Sequence, residues 1–530
     1  MSTIAERNFK WQSWLGADFL CVVFLVVICL SIGLPRFRCG LDFMDEGVLA
    51  YGAERVTEGQ MPNRDFVSLQ PPFSFYTVAA AFKLLGKSLL SLRIFGLIIY
   101  VLIPLFVYGI ARNVTTKPLA LAAAIPTTTL GIPFSYFGPF AAWQGITAAL
   151  VAAFIYLRAI LGGHSLLGLP AGIMTAFSVF LRHDQGLYLL IAIVALTLAL
   201  RLAKETAIPP RKLKRAFGWW VIGASVVILP CIVYWWLEGA LPDMFKQLII
   251  FPHAIYSKTS SLPFPKFSSQ LPFREIVFTS LYYIPPALVV IVAIWLSRTI
   301  VTSRFRQMEA MIAFLLLWSG LFYCQVITRS DVHHLLITLP PFWILAAACW
   351  TVFLKKLGSL LDQRTSSYWL QRSSKAVGAI FPAAVALWLI WILAPFCLPD
   401  VSKATELVAL ERGGVRMEAG QLVTEGVRII QSYAPADRSI LCLPYEPMLY
   451  FLCERRNPTR WNYLWPGDQT PREHQEMIQQ ARSDPPAAVL IIEGKPDVRL
   501  CAGAVLDYVN AEYEHVGDLG LIRIYLPRTR

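Results

Sequence analysis

The chain has 530 residues, 56% of them hydrophobic and 15% charged, with a mean hydropathy of +0.55. Soluble proteins carry about 25% charged residues, so most of this chain belongs in lipid and an ordinary soluble class is excluded. The net charge of +13 does not signal nucleic-acid binding, because the basic residues gather in short segments between apolar runs.

A bilayer crossing needs about 20 apolar residues. Such runs fall near 17–34, 89–110, 118–134, 143–160, 166–181, 186–202, 217–237, 278–297, 308–327, 335–354 and 377–397, which predicts about eleven spans. The first run follows Arg7 and Lys10, as a signal peptide would, but no A-x-A-like cleavage site comes after it. It therefore reads as a retained anchor. With the N-terminus cytoplasmic, the inner segments hold Arg201, Lys204, Arg211, Lys212, Lys214 and Arg215, then Arg298, Arg304 and Arg306, then Lys355, Lys356, Arg364, Arg372 and Lys375. That distribution obeys the positive-inside rule, and an odd number of spans places residues 400–530 outside. Every charged cluster of chemical interest then shares the outer face, together with His183, His253, His333 and His334.

The first outer loop, about 35–88, carries the adjacent carboxylates Asp45 and Glu46, then Arg55, Arg64, Asp65 and Gln70-Pro71-Pro72. One reading makes Asp45 and Glu46 helix caps, stabilised by the dipole of a helix over 47–57. The other makes them catalytic, because a second apolar helix over 72–85, too short to span, follows and suits the interface plane. The loop before the sixth span reads Arg182-His183-Asp184-Gln185, and that before the tenth reads Arg329-Ser330-Asp331-Val332-His333-His334. Charged groups near a bilayer are costly and usually functional, so both are expected to contact phosphate or acceptor. In each cluster the alternative is a simple Arg–Asp pair (Arg182 with Asp184, Arg329 with Asp331), while Arg93 reads as a snorkelling anchor. No metal motif or cofactor loop is evident. The cation arrangement left open is Asp331 with one histidine and Asp45; adjacent histidines on a helix point apart and do not share a metal.

Beyond residue 400 the composition becomes that of a soluble domain. Helices are predicted over 419–433, 446–453, 471–482 and 500–510, and strands over 439–443, 487–493, 513–517 and 520–526. Alternating strands and helices predict a small α/β layer domain that docks or shapes an acceptor. Of the ten cysteines, Cys442, Cys453 and Cys501 share this domain, which leaves one disulfide or free thiols both open.

A site with one carboxylate and several bases suits glycosyl transfer from a lipid-phosphate donor. Glycosidases need two carboxyl groups because a sugar leaving group must be protonated. A phosphate leaves as an anion and needs only cationic or hydrogen-bond stabilisation, so one carboxylate suffices to deprotonate the acceptor hydroxyl. A flippase or secondary transporter is the non-enzymatic alternative; transporters usually show repeated halves, and none is visible here. A ligase or polymerase using lipid-diphosphate oligosaccharides is the alternative within enzymes.

The chain also resembles a known family through Asp45-Glu46, Tyr51, Gly59, Pro62-Asn63-Arg64-Asp65-Phe66, Pro71-Pro72, Tyr76, Phe82-Lys83-Leu84-Leu85-Gly86 and Arg93. The pattern is similar to that of the GT-C glycosyltransferases, specifically the bacterial branch of the protein O-mannosyltransferase family that includes the lipid A aminoarabinose transferases. It covers roughly residues 15–350. The resemblance implies a polytopic GT-C catalytic domain over 1–399 with an extracytoplasmic α/β domain over 400–530, in a bacterial plasma membrane. It implies inverting transfer of a monosaccharide from a polyprenyl-phosphate donor to an envelope glycan, lipid or protein, with Asp45 as base and Glu46 as its partner. Arg55, Arg64, Gln70, Arg182, His183, Asp184, Arg329, Asp331, His333 and His334 are the expected donor and acceptor contacts. Where the aminoarabinose branch has a phosphate-binding lysine before the two prolines, this chain has Gln70, so Arg182, Arg329 or a histidine is expected to supply the charge. The segments Tyr445–Tyr450 and Asn457–Arg460 resemble the outer domain of bacterial members.

Overall fold

The computed structural model describes residues 18–528 apart from 269, 303–304, 365–367, 468 and 495–496. Of the basic residues in the charge pattern, Arg7, Lys10 and Arg304 lie outside the described residues, as do the side chains of Arg364, Arg372 and Lys375. The helical part begins with α1 (Phe19–Gly33), α2 (Asp45–Thr57), α3 (Pro72–Leu85) and α4 (Leu89–Ala111). It continues through α5 (Lys117–Ala124), α6 (Ala141–Leu161), α7 (Gly168–Leu181), α8 (His183–Leu202) and α9 (Pro210–Leu237). Two short helices, α10 (Leu241–Phe245) and α11 (Ser257–Thr259), precede α12 (Phe273–Val301), α13 (Gln307–Thr328), α14 (Val332–Arg364) and α15 (Tyr368–Cys397).

Among the described residues nine helical segments are long and apolar enough to cross a membrane. Of the eleven runs expected, those of α1 and α7 form shorter apolar helices. This is a polytopic helical membrane protein. Helices α9, α12 and α15 expose Leu229, Trp236, Val290, Ile291 and Trp391 by 57–68%, an apolar surface that lipid covers. In lipid, burying apolar side chains gives helices little reason to associate, so close backbone approach must do so. Between α7 and α9, glycines make that approach: a Cβ on Gly172 would lie 2.0 Å from the Trp220 carbonyl oxygen, and one on Gly223 2.0 Å from that of Leu169.

The two ends of the bundle differ in chemistry. At one end Arg306 pairs with Glu205 at 3.1 Å and the Lys204 amide donates to the Phe305 carbonyl, while Arg112 and Lys117 meet Asp18. The other end carries Asp45, Arg182, Arg329 and the C-terminal α/β region.

That region holds the strand pair β1 (Glu406–Leu407) and β2 (Arg416–Met417), then α16 (Gly420–Tyr433), β3 (Ile440–Leu443), α17 (Met448–Cys453) and α18 (Pro471–Ser483). It ends with β4 (Ala488–Ile492), α19 (Val498–Glu512), β5 (Tyr513–Leu519) and β6 (Ile522–Pro527). The main sheet runs β3-β4-β6-β5, with β3 and β4 parallel and the other neighbours antiparallel. Cys442, Cys453 and Cys501 are all buried free thiols. One hydrophobic core joins α2 and α3 to α16, α17 and the sheet. Within it Tyr51 stacks on Tyr450 at 4.8 Å and Phe82 on Phe451 at 5.5 Å.

Gly172→Val places a branched side chain against the α9 backbone. We expect a loss of about 1–3 kcal/mol from overpacking, read as a lowered melting temperature of the detergent-solubilised chain.

Candidate active site

The site is assembled around the start of α2. Asp42 accepts hydrogen bonds at Oδ1 from the amides of Met44 (2.9 Å) and Asp45 (3.0 Å), satisfying donors that the first helical turn leaves open. Asp45 and Glu46 are the acids of the first turn of α2, where the helix dipole favours negative charge. Glu46 is fully buried and accepts from Arg93 Nη2 at 2.7 Å. Arg93 also donates to the Gly40 carbonyl at 3.0 Å. Its expected role as a snorkelling anchor is thus replaced by a buried ion pair, because α4 turns its side chain inward toward the first loop. Gly40 must be glycine: its φ is +77°, and a Cβ there would sit 2.4 Å from the Tyr136 ring.

Asp45 contrasts with its neighbour. No hydrogen bond or ion pair engages its carboxylate among the described residues, and solvent reaches it although protein surrounds it on most sides. Burial and the nearby Asp42 push its carboxyl up to about 7, against the pull of Arg329. Arg329 Nε pairs with Asp331 at 2.6 Å, and Asp331 also accepts from the His334 amide and ring nitrogen at 2.9 and 2.8 Å. Burial opposes ionisation of Asp331, but the His334 and Arg329 bonds win and hold it well below the usual carboxylate range. His333 turns the other way, its Nδ1 lying 3.2 Å from Ser135 Oγ and its ring packing on Phe134.

A cavity of about 470 Å³ opens beside this cluster, lined by Asp42, Ser135, Tyr136, His333, Phe396 and Lys403 among others. Its wall combines the ends of α14 and α15 with the first loop. Arg182 pairs with Asp184 at 3.0 Å at the same end of the bundle. Next to that pair the His183 Nδ1 and both amide atoms of Gln185 are buried without hydrogen-bond partners among the described residues.

No protein-family model matches the sequence, and no curated protein matches it by sequence. Solved structures do match it in fold. The oligosaccharyltransferase AglB from Archaeoglobus fulgidus, in complex with an inhibitory peptide and a dolichol-phosphate, aligns at TM-score 0.56 and 12% identity, over 98% of this chain and 75% of that one. ArnT from Cupriavidus metallidurans in the apo state aligns at TM-score 0.53 and 15% identity, over 97% and 98%. This chain has the GT-C fold.

On this GT-C scaffold the residues expected to contact donor and acceptor divide into two groups. Asp45, Glu46, Arg329, Asp331, His333 and His334 lie together around Asp42. Arg55 and Arg64 are drawn elsewhere. Arg55 is buried and donates to Gln60, Asn462 and the carbonyls of Thr459 and Asp65, so it fastens the first loop to the C-terminal region. Arg64 pairs with Asp65 at 2.8 Å and Glu238 at 2.5 Å. Gln70 sits where Tyr463 approaches the loop, and its Oε1 is buried without a hydrogen-bond partner among the described residues. Both Asp331 oxygens are occupied, and among the described residues no three His, Cys, Asp or Glu side chains are grouped to hold a metal. The arrangement of Asp331, a histidine and Asp45 therefore does not fit a divalent cation.

Two participants escaped the sequence. Asp42 was legible as a helix-start signal three residues before Asp45. Glu446, from the segment before α17, reaches the electrostatic neighbourhood of Asp42, and burial and that charge push its carboxyl up to about 7; nothing local marks it.

Removing one member of a buried ion pair strands the other. Glu46→Leu or Arg93→Leu alone should each cost about 3–5 kcal/mol, whereas the double leucine variant should recover most of it. Thermal unfolding of the three purified variants reads this directly.

Proposed function

We propose that this chain is a membrane glycosyltransferase that moves a sugar from a polyprenyl-phosphate donor to an acceptor hydroxyl, with inversion, on the extracytoplasmic side of a bacterial plasma membrane. The observation that carries the reading is the Asp45 carboxylate, unpartnered and raised into the neutral range at the point where the bundle ends and the C-terminal region meet. A general base works best when its pKa lies near the operating pH. The GT-C fold, shared with a protein captured with dolichol-phosphate, adds support from outside the chain.

In this mechanism the donor enters from the bilayer with its phosphate in the 470 Å³ cavity. Lys403 and His333 line that cavity, and Lys403 supplies a positive charge that Gln70 does not. The acceptor oxygen attacks the anomeric carbon as the bond from that carbon to the phosphate oxygen breaks. The phosphate keeps the bonding electrons, and Asp45 takes the hydroxyl proton. Glu46 touches neither substrate; paired with Arg93, it positions the helix turn that presents Asp45.

The likeness to an oligosaccharyltransferase supports a second reading, a ligase for lipid-diphosphate oligosaccharides. The pairing of Arg182 with Asp184 and of Arg329 with Asp331 leaves limited positive charge, which favours a monophosphate.

With purified protein, radiolabelled polyprenyl-phosphate sugars and membrane extract, label should reach an acceptor with wild type. Asp45→Asn should lower the rate about 10²–10⁴-fold while donor binding persists. Transfer unchanged in that variant removes Asp45 as base. Lipid movement across vesicles without transfer from any donor turns the assignment to a flippase.

The pH profile provides a separate test. Asp45 is protonated and inactive as a base below about 7 and ionised above it, so transfer should rise with pH through that region. The residual rate of Asp45→Asn should lack this inflection.

A further inference from the structure

The C-terminal region holds an aromatic cluster that the transfer mechanism does not use. Tyr445 meets Tyr463 edge-on at 5.7 Å and Trp465 at 4.9 Å, and all three come from segments flanking α17. The cluster lies against the first outer loop, where the Leu69 amide donates to the Tyr463 hydroxyl at 3.3 Å. Three polar atoms, on Trp465 and on the residues that follow Leu69 and Tyr445, are shielded from solvent with no hydrogen-bond partner among the described residues: Gln70 Oε1, Glu446 Oε2 and Trp465 Nε1. Unpartnered buried polar groups are uncommon in native proteins and each requires an explanation. Here there are two acceptors and one donor beside an aromatic surface.

That combination matches one ligand chemistry. A sugar ring offers an apolar C–H face to aromatic side chains and hydroxyls that both donate and accept. Binding sites of this kind are mostly apolar with a few placed polar groups, and Tyr and Trp combine an apolar body with a polar tip. Resting on the glycosyltransferase reading above, we propose that Tyr445, Tyr463, Trp465, Glu446 and Gln70 form a subsite for a sugar ring of the acceptor, which makes the acceptor a glycan. Position separates this subsite from the donor's. The donor cavity is walled by the ends of α14 and α15, where the bilayer delivers a lipid. None of the five residues lines that cavity, and Glu446 lies within electrostatic reach of Asp42, so a ring on the aromatic cluster approaches the turn that carries Asp45. Glutamine at position 70 fits as well. It accepts a sugar hydroxyl without adding the positive charge that would draw phosphate.

The test uses the full chain in nanodiscs and saturation-transfer NMR with methyl α-mannoside, methyl β-galactoside and methyl β-N-acetylglucosaminide. A serine- and threonine-containing peptide serves as competitor. At least one glycoside should receive saturation. Trp465→Phe, which keeps an aromatic face but removes the N–H, should weaken that glycoside about three- to tenfold, the effect of one hydrogen bond. Glu446→Gln should change affinity in the same range, with melting temperatures of both variants near wild type. Asp45→Asn should leave glycoside binding intact. If no glycoside binds, or if binding is the same in both variants, the subsite is wrong. Binding of the peptide alone, lost in Trp465→Phe, replaces the glycan with a protein acceptor and overturns the proposal. Glycoside binding with the expected variant effects but no transfer from any lipid donor upholds the subsite while removing the glycosyltransferase reading.

Discussion

The buried pair of Glu46 with Arg93 is the constraint on which the site depends. Its two partners come from the first loop and from α4, both without solvent exposure, so neither carboxylate nor guanidinium has water to fall back on. Neighbouring residues on a helix point about 100° apart. Fixing Glu46 inward therefore turns Asp45 outward. Two adjacent acids thus acquire different surroundings: one is paired with a fixed cation and inaccessible, the other open and, among the described residues, without a partner. Asp42 adds to this turn by accepting from the amides of Met44 and Asp45.

Around that turn the chain gathers short segments that lie far apart in sequence. The residues between α13 and α14 bring Arg329 and Asp331, the start of α14 brings His333, and the loop before α6 brings Ser135 and Tyr136. None of these segments could hold its geometry alone. They are set by the ends of long helices, whose axes are fixed by close packing such as that of Gly172 and Gly223 across α7 and α9. Burial raises both the Asp45 and the Asp331 carboxyl; Asp42 adds to it at Asp45, whereas the bonds from His334 and Arg329 overcome it at Asp331.

The C-terminal region is part of this arrangement rather than an appendage. A Cβ on Gly47 would lie 2.3 Å from the Met448 amide nitrogen, and that amide donates to the Phe43 carbonyl at 3.1 Å. Arg55 adds hydrogen bonds to Asn462 and Thr459. The helix that presents Asp45 is consequently packed on α17, and any movement of the C-terminal region is transmitted to the first turn of α2.

The sequence by itself determined the polytopic helical class, the existence of an α/β region near the C-terminus and the choice of Asp45-Glu46 as the centre of interest. Those properties are local: apolar run length, alternation of strands with helices, and two acids placed just beyond a span. It also kept both outcomes open for Arg182 and Arg329, and each is in fact paired with the aspartate two residues on. Tertiary structure alone decided which of the two acids is accessible, that Arg93 faces inward, that Arg55 bonds the first loop to the C-terminal region, and that Glu446 comes within electrostatic reach of Asp42. Each of these depends on which faces of distant helices meet. Side-chain direction on a helix follows from packing against partners hundreds of residues away, and the periodicity of one segment cannot specify it.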